Sequence, residues 1–214
     1  MSHTSIKTII GIDEVGRGPL AGPVLVGAVC VEIGNIKVKN RQVTNSSDIS
    51  LELKKFFRGA RDSKKLSAKK REEIFQKIKQ AGKFNLLQYI VINRGARIVD
   101  KIGINAAIVD CIAECLKKLK VRPKKSFIFL DGGLQAPKKF IFQKTIIGGD
   151  DKKMIISLAS IVAKVSRDAL MSRLAKKFPR YGFEVHKGYG TKKHRKAIKK
   201  FGVSSIHRKT WISD

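Results

Sequence analysis

Two apolar runs, residues 6–13 and 24–32, are joined by a turn rich in glycine and proline. Both runs read as strands, and the second is apolar enough to be buried on both faces. The first run ends in two carboxylates. The chain reads Gly11-Ile12-Asp13-Glu14-Val15-Gly16-Arg17-Gly18-Pro19-Leu20-Ala21-Gly22-Pro23, so the acids are followed at once by a glycine-arginine-glycine loop. Carboxylates hold hard metal ions, and glycines let a phosphodiester approach the backbone closely. The stretch suggests a metal-dependent enzyme that cuts nucleic acid.

The remaining pattern alternates strands and helices. Residues 34–61 are polar and basic and are expected to form an insertion or mobile loop, with a short helix at 51–57. Ser67 can cap a helix running to Ala81, with Gly82 as its stop. Further strands are expected at 85–93, 127–130 and 140–147. Helices are expected at 103–120, 154–177 and 192–201. The interleaving indicates a mixed α/β domain.

The charge balance narrows the partner. Lys and Arg total 46 against 17 Asp and Glu, a formal net charge of +29. That excess favours a polyanion, whose binding weakens as salt rises because neutralised phosphates release counterions. Cys111 and Cys115 could share a metal, but they lie on one apolar helical stripe with Ile104, Ala107, Ile108, Ile112 and Leu119, which favours buried thiols. No signal segment opens the chain and no apolar run is long enough to span a bilayer. A cytoplasmic protein without membrane contact is expected.

Three apolar strands end in acids beside glycines: Asp13-Glu14, Asp131 and Asp150. Strand ends present side chains to a cleft. Several carboxylates suit Mg²⁺ or Mn²⁺ rather than Zn²⁺. Two such ions about 3.5–4 Å apart can activate a water and stabilise the leaving oxygen of a phosphodiester. One acid of the cluster should hold its proton until metal arrives. Acids after strands can also be ordinary turn residues; three such ends in one chain make that the minority reading. Strand neighbours face opposite ways, so Asp13 and Glu14 converge only if the chain bends, as Gly11 and Gly16 would permit.

These residues closely resemble the signature of bacterial ribonuclease HII. The resemblance continues through Asp62-Ser63-Lys64-Lys65-Leu66-Ser67, Gly103-Ile104-Asn105, Leu130-Asp131-Gly132, Ala159-Ser160-Ile161-Val162-Ala163-Lys164-Val165-Ser166-Arg167-Asp168, Tyr181-Gly182-Phe183, His186-Lys187-Gly188-Tyr189-Gly190-Thr191 and Ile206-His207-Arg208-Lys209. It implies a ribonuclease H-like fold: a mixed sheet flanked by helices, with a C-terminal helical extension. Residues 1–178 would form the catalytic domain and 179–214 the basic, substrate-binding extension. It implies an endonuclease that cleaves the RNA strand of RNA–DNA hybrids and incises at single ribonucleotides in duplex DNA, leaving a 5′-phosphate and a 3′-hydroxyl. A monomer is expected.

By position in the family, Asp13, Glu14, Asp131 and Asp150 are the catalytic, metal-binding acids, with Mg²⁺ or Mn²⁺ in a two-metal site. Gly16, Arg17 and Gly18 match the loop that senses the ribonucleotide, and Tyr189 matches the tyrosine that packs on the sugar. Only a 2′-hydroxyl distinguishes RNA from DNA at one nucleotide, and a glycine-flanked backbone can reach it. For Tyr189 the alternative is a core aromatic; for Arg17, a surface ion pair. Lys64, or its neighbour Lys65, would contact the nucleic-acid backbone. Asn105 would either cap its helix or bond the strand opposite the cut. His186 and His207 suggest a general base, but two metals need none, which favours backbone support or phosphate contact. Lys164 would support the transition state, and Arg167 would be structural, paired with Asp168. Where relatives carry a small residue after the fourth acid, this chain has Asp151, a rival ligand; spacing to Ala159-Ser160-Ile161 favours Asp150. The alternatives are a non-catalytic basic nucleic-acid-binding protein and a nuclease acting on branched DNA.

Overall fold

The computed structural model describes residues 5–39, 42–43, 57, 60 and 66–212. Five strands form the main sheet: β1 (Ser5–Val15), β2 (Val24–Lys39), β4 (Gln88–Arg94), β5 (Ser126–Asp131) and β6 (Gln143–Ile146). Their order is β4-β2-β1-β5-β6, and β3 (Gln42–Val43) pairs with the far end of β2. β2 runs antiparallel to both β1 and β4, whereas β1, β5 and β6 are mutually parallel. The parallel set puts the ends of β1 and β5 at one edge of the sheet, which is where the acids stand.

Strand alternation sorts the core into two layers. Ile9 of β1, Val29 and Val31 of β2, and Phe127 and Phe129 of β5 pack on one face. That face is covered by α1 (Ala68–Lys83) and the long α5 (Met154–Lys177). Ile10, Ile12, Val26, Ala28, Ile128 and Leu130 face the other way, onto α3 (Ile104–Lys118). Cys111 and Cys115 lie fully buried there as free thiols. Burial pushes the Cys115 thiol up to about 12, so it stays protonated. No helix among the described residues is long and apolar enough to cross a membrane.

Gly11 and Gly27 let α5 lie close on the sheet. A Cβ at Gly11 would collide with the Ile155 carbonyl, and one at Gly27 with the Ala159 carbonyl. Gly11 therefore serves helix packing, not a bend. Gly11→Ala is expected to cost about 1–3 kcal/mol through overpacking, read as a lower urea midpoint at unchanged slope.

Several expected boundaries move. β2 continues to Lys39, so residues 34–39 are strand where a loop was expected. The expected helix at 51–57, like Lys64 and Lys65, lies outside the described residues apart from Phe57, which sits in a turn. α1 begins as expected, with Ser67 Oγ accepting from Lys70 N at 3.2 Å, but runs through Gly82 to Lys83. A separate helix, α2 (Ala96–Ile102), precedes α3, and Gly103 breaks the pair with φ of 80°. β6 covers only part of 140–147. It is followed by a single turn, α4 (Gly149–Lys152), so Asp150 sits on a helical turn rather than at a strand end.

Candidate active site at the strand tips

Asp13 and Asp131 occupy neighbouring positions on parallel strands, one residue beyond the paired Ile12 and Leu130. Both point to the α5 face and both are buried. Asp13 Oδ1 accepts from the Glu14 backbone N–H at 2.8 Å, and Ser160 of α5 hydrogen-bonds its carboxyl. Asp131 Oδ1 accepts from Gly149 N at 2.6 Å, which ties β5 to the turn carrying Asp150. Asp150 is fully buried, whereas Asp151 is exposed. Burial, then the neighbouring Asp131 and Glu14 charges, hold the Asp13 carboxyl up at about 7.

Glu14 does not follow the expected convergence. β1 keeps a regular register against β2 through Asp13, Glu14 and Val15, so the pleat sends Glu14 to the opposite face from Asp13. There Arg17 Nε donates to Glu14 Oε1 at 3.1 Å, and Arg17 Nη1 to Asn105 Oδ1 at 2.6 Å. These three residues line a cavity of about 480 Å³ with Ile108, Gly133 and Leu134. A larger cleft of about 750 Å³ lies at the start of β1, beside Lys7 and Thr8, away from the acids. Asn105 does not cap α3, whose N-cap is Gly103 without a side-chain bond. Among the described residues, no three His, Cys, Asp or Glu side chains already converge on a single metal position.

The glycine-arginine-glycine loop is held from behind. Arg167 of α5 donates from Nε to Pro23 O at 3.1 Å and from Nη2 to Ala21 O at 3.4 Å. It therefore braces the loop instead of pairing with Asp168. Gly16, at φ of +88°, leaves room for that guanidinium. Gly18 is different: its φ is not positive, and a Cβ there would meet nothing within 4 Å among the described residues. Neither backbone strain nor packing against the described residues requires glycine at 18.

Tyr189 is 46% exposed and lies with its ring centroid 5.7 Å from the Arg167 guanidinium carbon. It is not a core aromatic. Three buried histidines hold the backbone beneath it. His194 sits on α7 (Lys192–Phe201) and His186 on the short α6 (Phe183–His186). A carbonyl only accepts, so His194 Nδ1 donates to Tyr189 O at 2.9 Å, and its Nε2 accepts from His207 Nε2 at 3.0 Å. His207 Nδ1 accepts in turn from Ser204 N at 2.8 Å. His186 Nε2 donates to Tyr181 O at 2.7 Å. His186 and His207 thus support backbone and hydrogen-bond to none of Asp13, Glu14, Asp131 and Asp150.

A second proton on His194 or His207 would set N–H against N–H. Burial lowers both groups, His207 to about 4. The unfolded chain, near 6.5, takes up the proton first as pH falls. Stability is then full above about 6.5 and lost as pH falls toward about 4. Urea denaturation across that window should show stability rising with pH, and His207→Gln should flatten the slope.

Sequence reasoning gave no role to His194, Ser160 or Arg208, and its structural reading of Arg167 holds with backbone carbonyls as partners in place of Asp168. In a tail with nine Lys or Arg residues from 187 onward, nothing local marks Arg208 as fully buried. The exposed cations of α7, including Lys192, Lys193, Arg195 and Lys196, have the same composition as their buried neighbour.

Comparison with known proteins gives one consistent answer. Residues 10–214 match the family model for ribonuclease HII. A ribonuclease HII from Caldicellulosiruptor bescii is 37% identical over 208 residues, 97% of this chain and 88% of that protein. One from Endomicrobium trichonymphae is 41% identical over 203 residues, 95% and 84% of the two chains. Among solved structures, the ribonuclease HII of the Archaeoglobus fulgidus complex with PCNA superposes with a TM-score of 0.70 at 25% identity, covering 97% and 96% of the chains. Aquifex aeolicus RNase H3 shares the fold, with a TM-score of 0.67 at 15% identity, covering 95% of this chain and 72% of that one.

Proposed function

The chain belongs to the ribonuclease HII family, and we propose that Asp13, Glu14, Asp131 and Asp150 hold its divalent ions while residues 16–18 and Tyr189 read the ribose. Its activity is that of a metal-dependent endoribonuclease of the ribonuclease H type. A purely nucleic-acid-binding role would leave the buried acids without a purpose.

The observation that carries the site assignment is the side-by-side placement of Asp13 and Asp131 at the tips of parallel strands. Burial, reinforced by the neighbouring Asp131 and Glu14 charges, holds Asp13 near 7. An all-oxygen donor set of this kind fits Mg²⁺ or Mn²⁺, and a divalent cation would draw Asp13 into its ionised form. The burial of Asp150 and exposure of Asp151 support Asp150 as the fourth acid. Glu14, at the strand tip on the opposite face, would complete the set only if its side chain turned round the tip toward the ions as Arg17 exchanges its carboxylate for a substrate phosphate.

In this reading Ser160 and the Glu14 amide orient the Asp13 carboxylate, and the Gly149 amide orients that of Asp131. Divalent ions held by these acids would supply a water of lowered pKa and charge neutralisation at the departing 3′-oxygen. Arg17 then contacts phosphate, Asn105 the opposing strand, and the exposed Tyr189 ring stacks on the sugar. Lys64 is assigned a backbone contact on its motif alone. Residues 1–178 carry the chemistry. Residues 179–214, with the exposed cations of α7, grip the duplex. The chain acts as a cytoplasmic monomer on RNA–DNA hybrids and on duplex DNA with embedded ribonucleotides.

Gly18→Ala should leave the urea midpoint unchanged or slightly raised, because the added methyl meets no atom of the described residues and alanine lowers the entropy of the unfolded chain. It should nonetheless impair ribonucleotide cleavage by crowding the substrate. The decisive assay incubates a duplex holding one ribonucleotide with protein and Mg²⁺ or Mn²⁺, with a chelator arm and an all-DNA arm. Scission to a 5′-phosphate and 3′-hydroxyl, lost with chelator and absent on DNA, is expected. Binding without scission, or cutting of the all-DNA duplex, would refute the reading.

A further inference from the structure

A buried cation near residue 210 makes more hydrogen bonds to residues 16–22 than any other side chain among the described residues. Arg208 is fully buried. Its Nη2 donates to Gly16 O at 2.6 Å, its Nη1 to Arg17 O at 2.7 Å, and Nε and Nη2 to Gly22 O at 3.2 and 3.1 Å. Its own amide donates to Leu20 O at 2.8 Å, and Ile206 O receives Gly22 N at 2.8 Å. The guanidinium Cζ lies over the Trp211 ring, 4.9 Å from its centroid. No carboxylate among the described residues forms an ion pair with it. A buried guanidinium matched only by carbonyls is a poor source of stability, so its use lies in what it does to the loop.

A trans peptide carries its C=O and the following N–H on opposite sides, and every described peptide here is trans. When Arg208 draws the Gly16 carbonyl inward, the Arg17 N–H must face outward. When it draws the Arg17 carbonyl inward, the Gly18 N–H must do the same. Neither amide donates to a backbone carbonyl among the described residues. Two successive amides are thereby presented beside the acids, under the open space above Gly18.

We propose that Arg208 is a positioning residue for ribose recognition: by engaging the carbonyls of Gly16 and Arg17 it aims the amides of Arg17 and Gly18 at the ribonucleotide. The proposal rests on the loop's assignment as ribose reader and extends it to a residue near the chain's other end. The C-terminal segment is then part of the reader itself as well as a grip on the duplex. Lysine cannot replace it, because one ammonium cannot span three carbonyls in a fixed fork.

The test compares wild type with Arg208→Lys and Arg208→Gln in the full chain. Amide exchange should quicken in residues 16–22 while β5 stays protected. Cleavage at a single embedded ribonucleotide should fall in kcat on the order of a hundredfold, the size of effect a misplaced reading group produces, with KM within about threefold. Guanidinium ion added to an Arg208→Gly variant should restore part of kcat. Unchanged loop exchange or wild-type kcat in folded Arg208→Lys would overturn the proposal. So would losses that merely track loss of folded protein in both variants. A wild-type chain that cuts nothing would instead refute the loop's assignment, and the exchange comparison would still judge the role of Arg208.

Discussion

Asp13→Asn should lower cleavage of an embedded-ribonucleotide duplex by at least about a hundredfold, the loss expected when one preorganised electrostatic group is removed from an active site. Duplex affinity should change little, because affinity comes from the many cations of the surface and Asp13 is buried. Asparagine keeps the shape and the chance to bond Ser160 and the Glu14 amide, so the fold survives. The sign of the stability change is also set. Asp13 is raised from 3.8 to about 7 in the fold, so its contribution to stability is lost as pH rises through that range. Above pH 7 the wild-type carboxylate is a buried charge, further disfavoured by Asp131, and the asparagine variant should melt at the same temperature or higher. Single-turnover rates, filter binding and thermal melts together check this. Wild-type rates, or a large loss of affinity, would contradict the role given to Asp13.

The second large effect separates two adjacent acids. Asp150→Asn should cost at least about a hundredfold in kcat on the same grounds, while Asp151→Asn should stay within about twofold, as exposed surface changes usually do. Asp150 lies wholly inside the fold on the turn that Asp131 fastens through Gly149 N. Asp151 stands one residue on, facing solvent. Reversed phenotypes in a metal titration would transfer the fourth position to Asp151.

The parts of this molecule legible in the sequence were those with strong periodicity or a dense motif. The helices expected at 154–177 and 192–201 are found as α5, Met154–Lys177, and α7, Lys192–Phe201. The thiols of α3 are core, as their stripe implied. What escaped was set by distant partners. Gly11 looked like a hinge because its neighbours are acids; it is small because the backbone of α5, far along the chain, lies against it. Asn105 looked like a helix cap because it stands near a helix start; an arginine from the loop claims it instead. Arg167 sat next to Asp168, but the pair is split by helix geometry and the guanidinium runs to carbonyls 144 and 146 residues away. Sequence neighbours cannot reveal such long-range hydrogen bonds, and charged residues give no sign of which will be buried.

The most direct test of the account is a crystal of the protein with Mn²⁺ and an uncleavable duplex bearing one ribonucleotide, read by anomalous scattering. The expected result is manganese bound by carboxylate oxygens of Asp13, Glu14, Asp131 and Asp150, with Glu14 released from Arg17 and the ribose hydroxyl against the amides of residues 17 and 18. Manganese absent from these carboxylates, in crystals of a protein that still cleaves in solution, would contradict it.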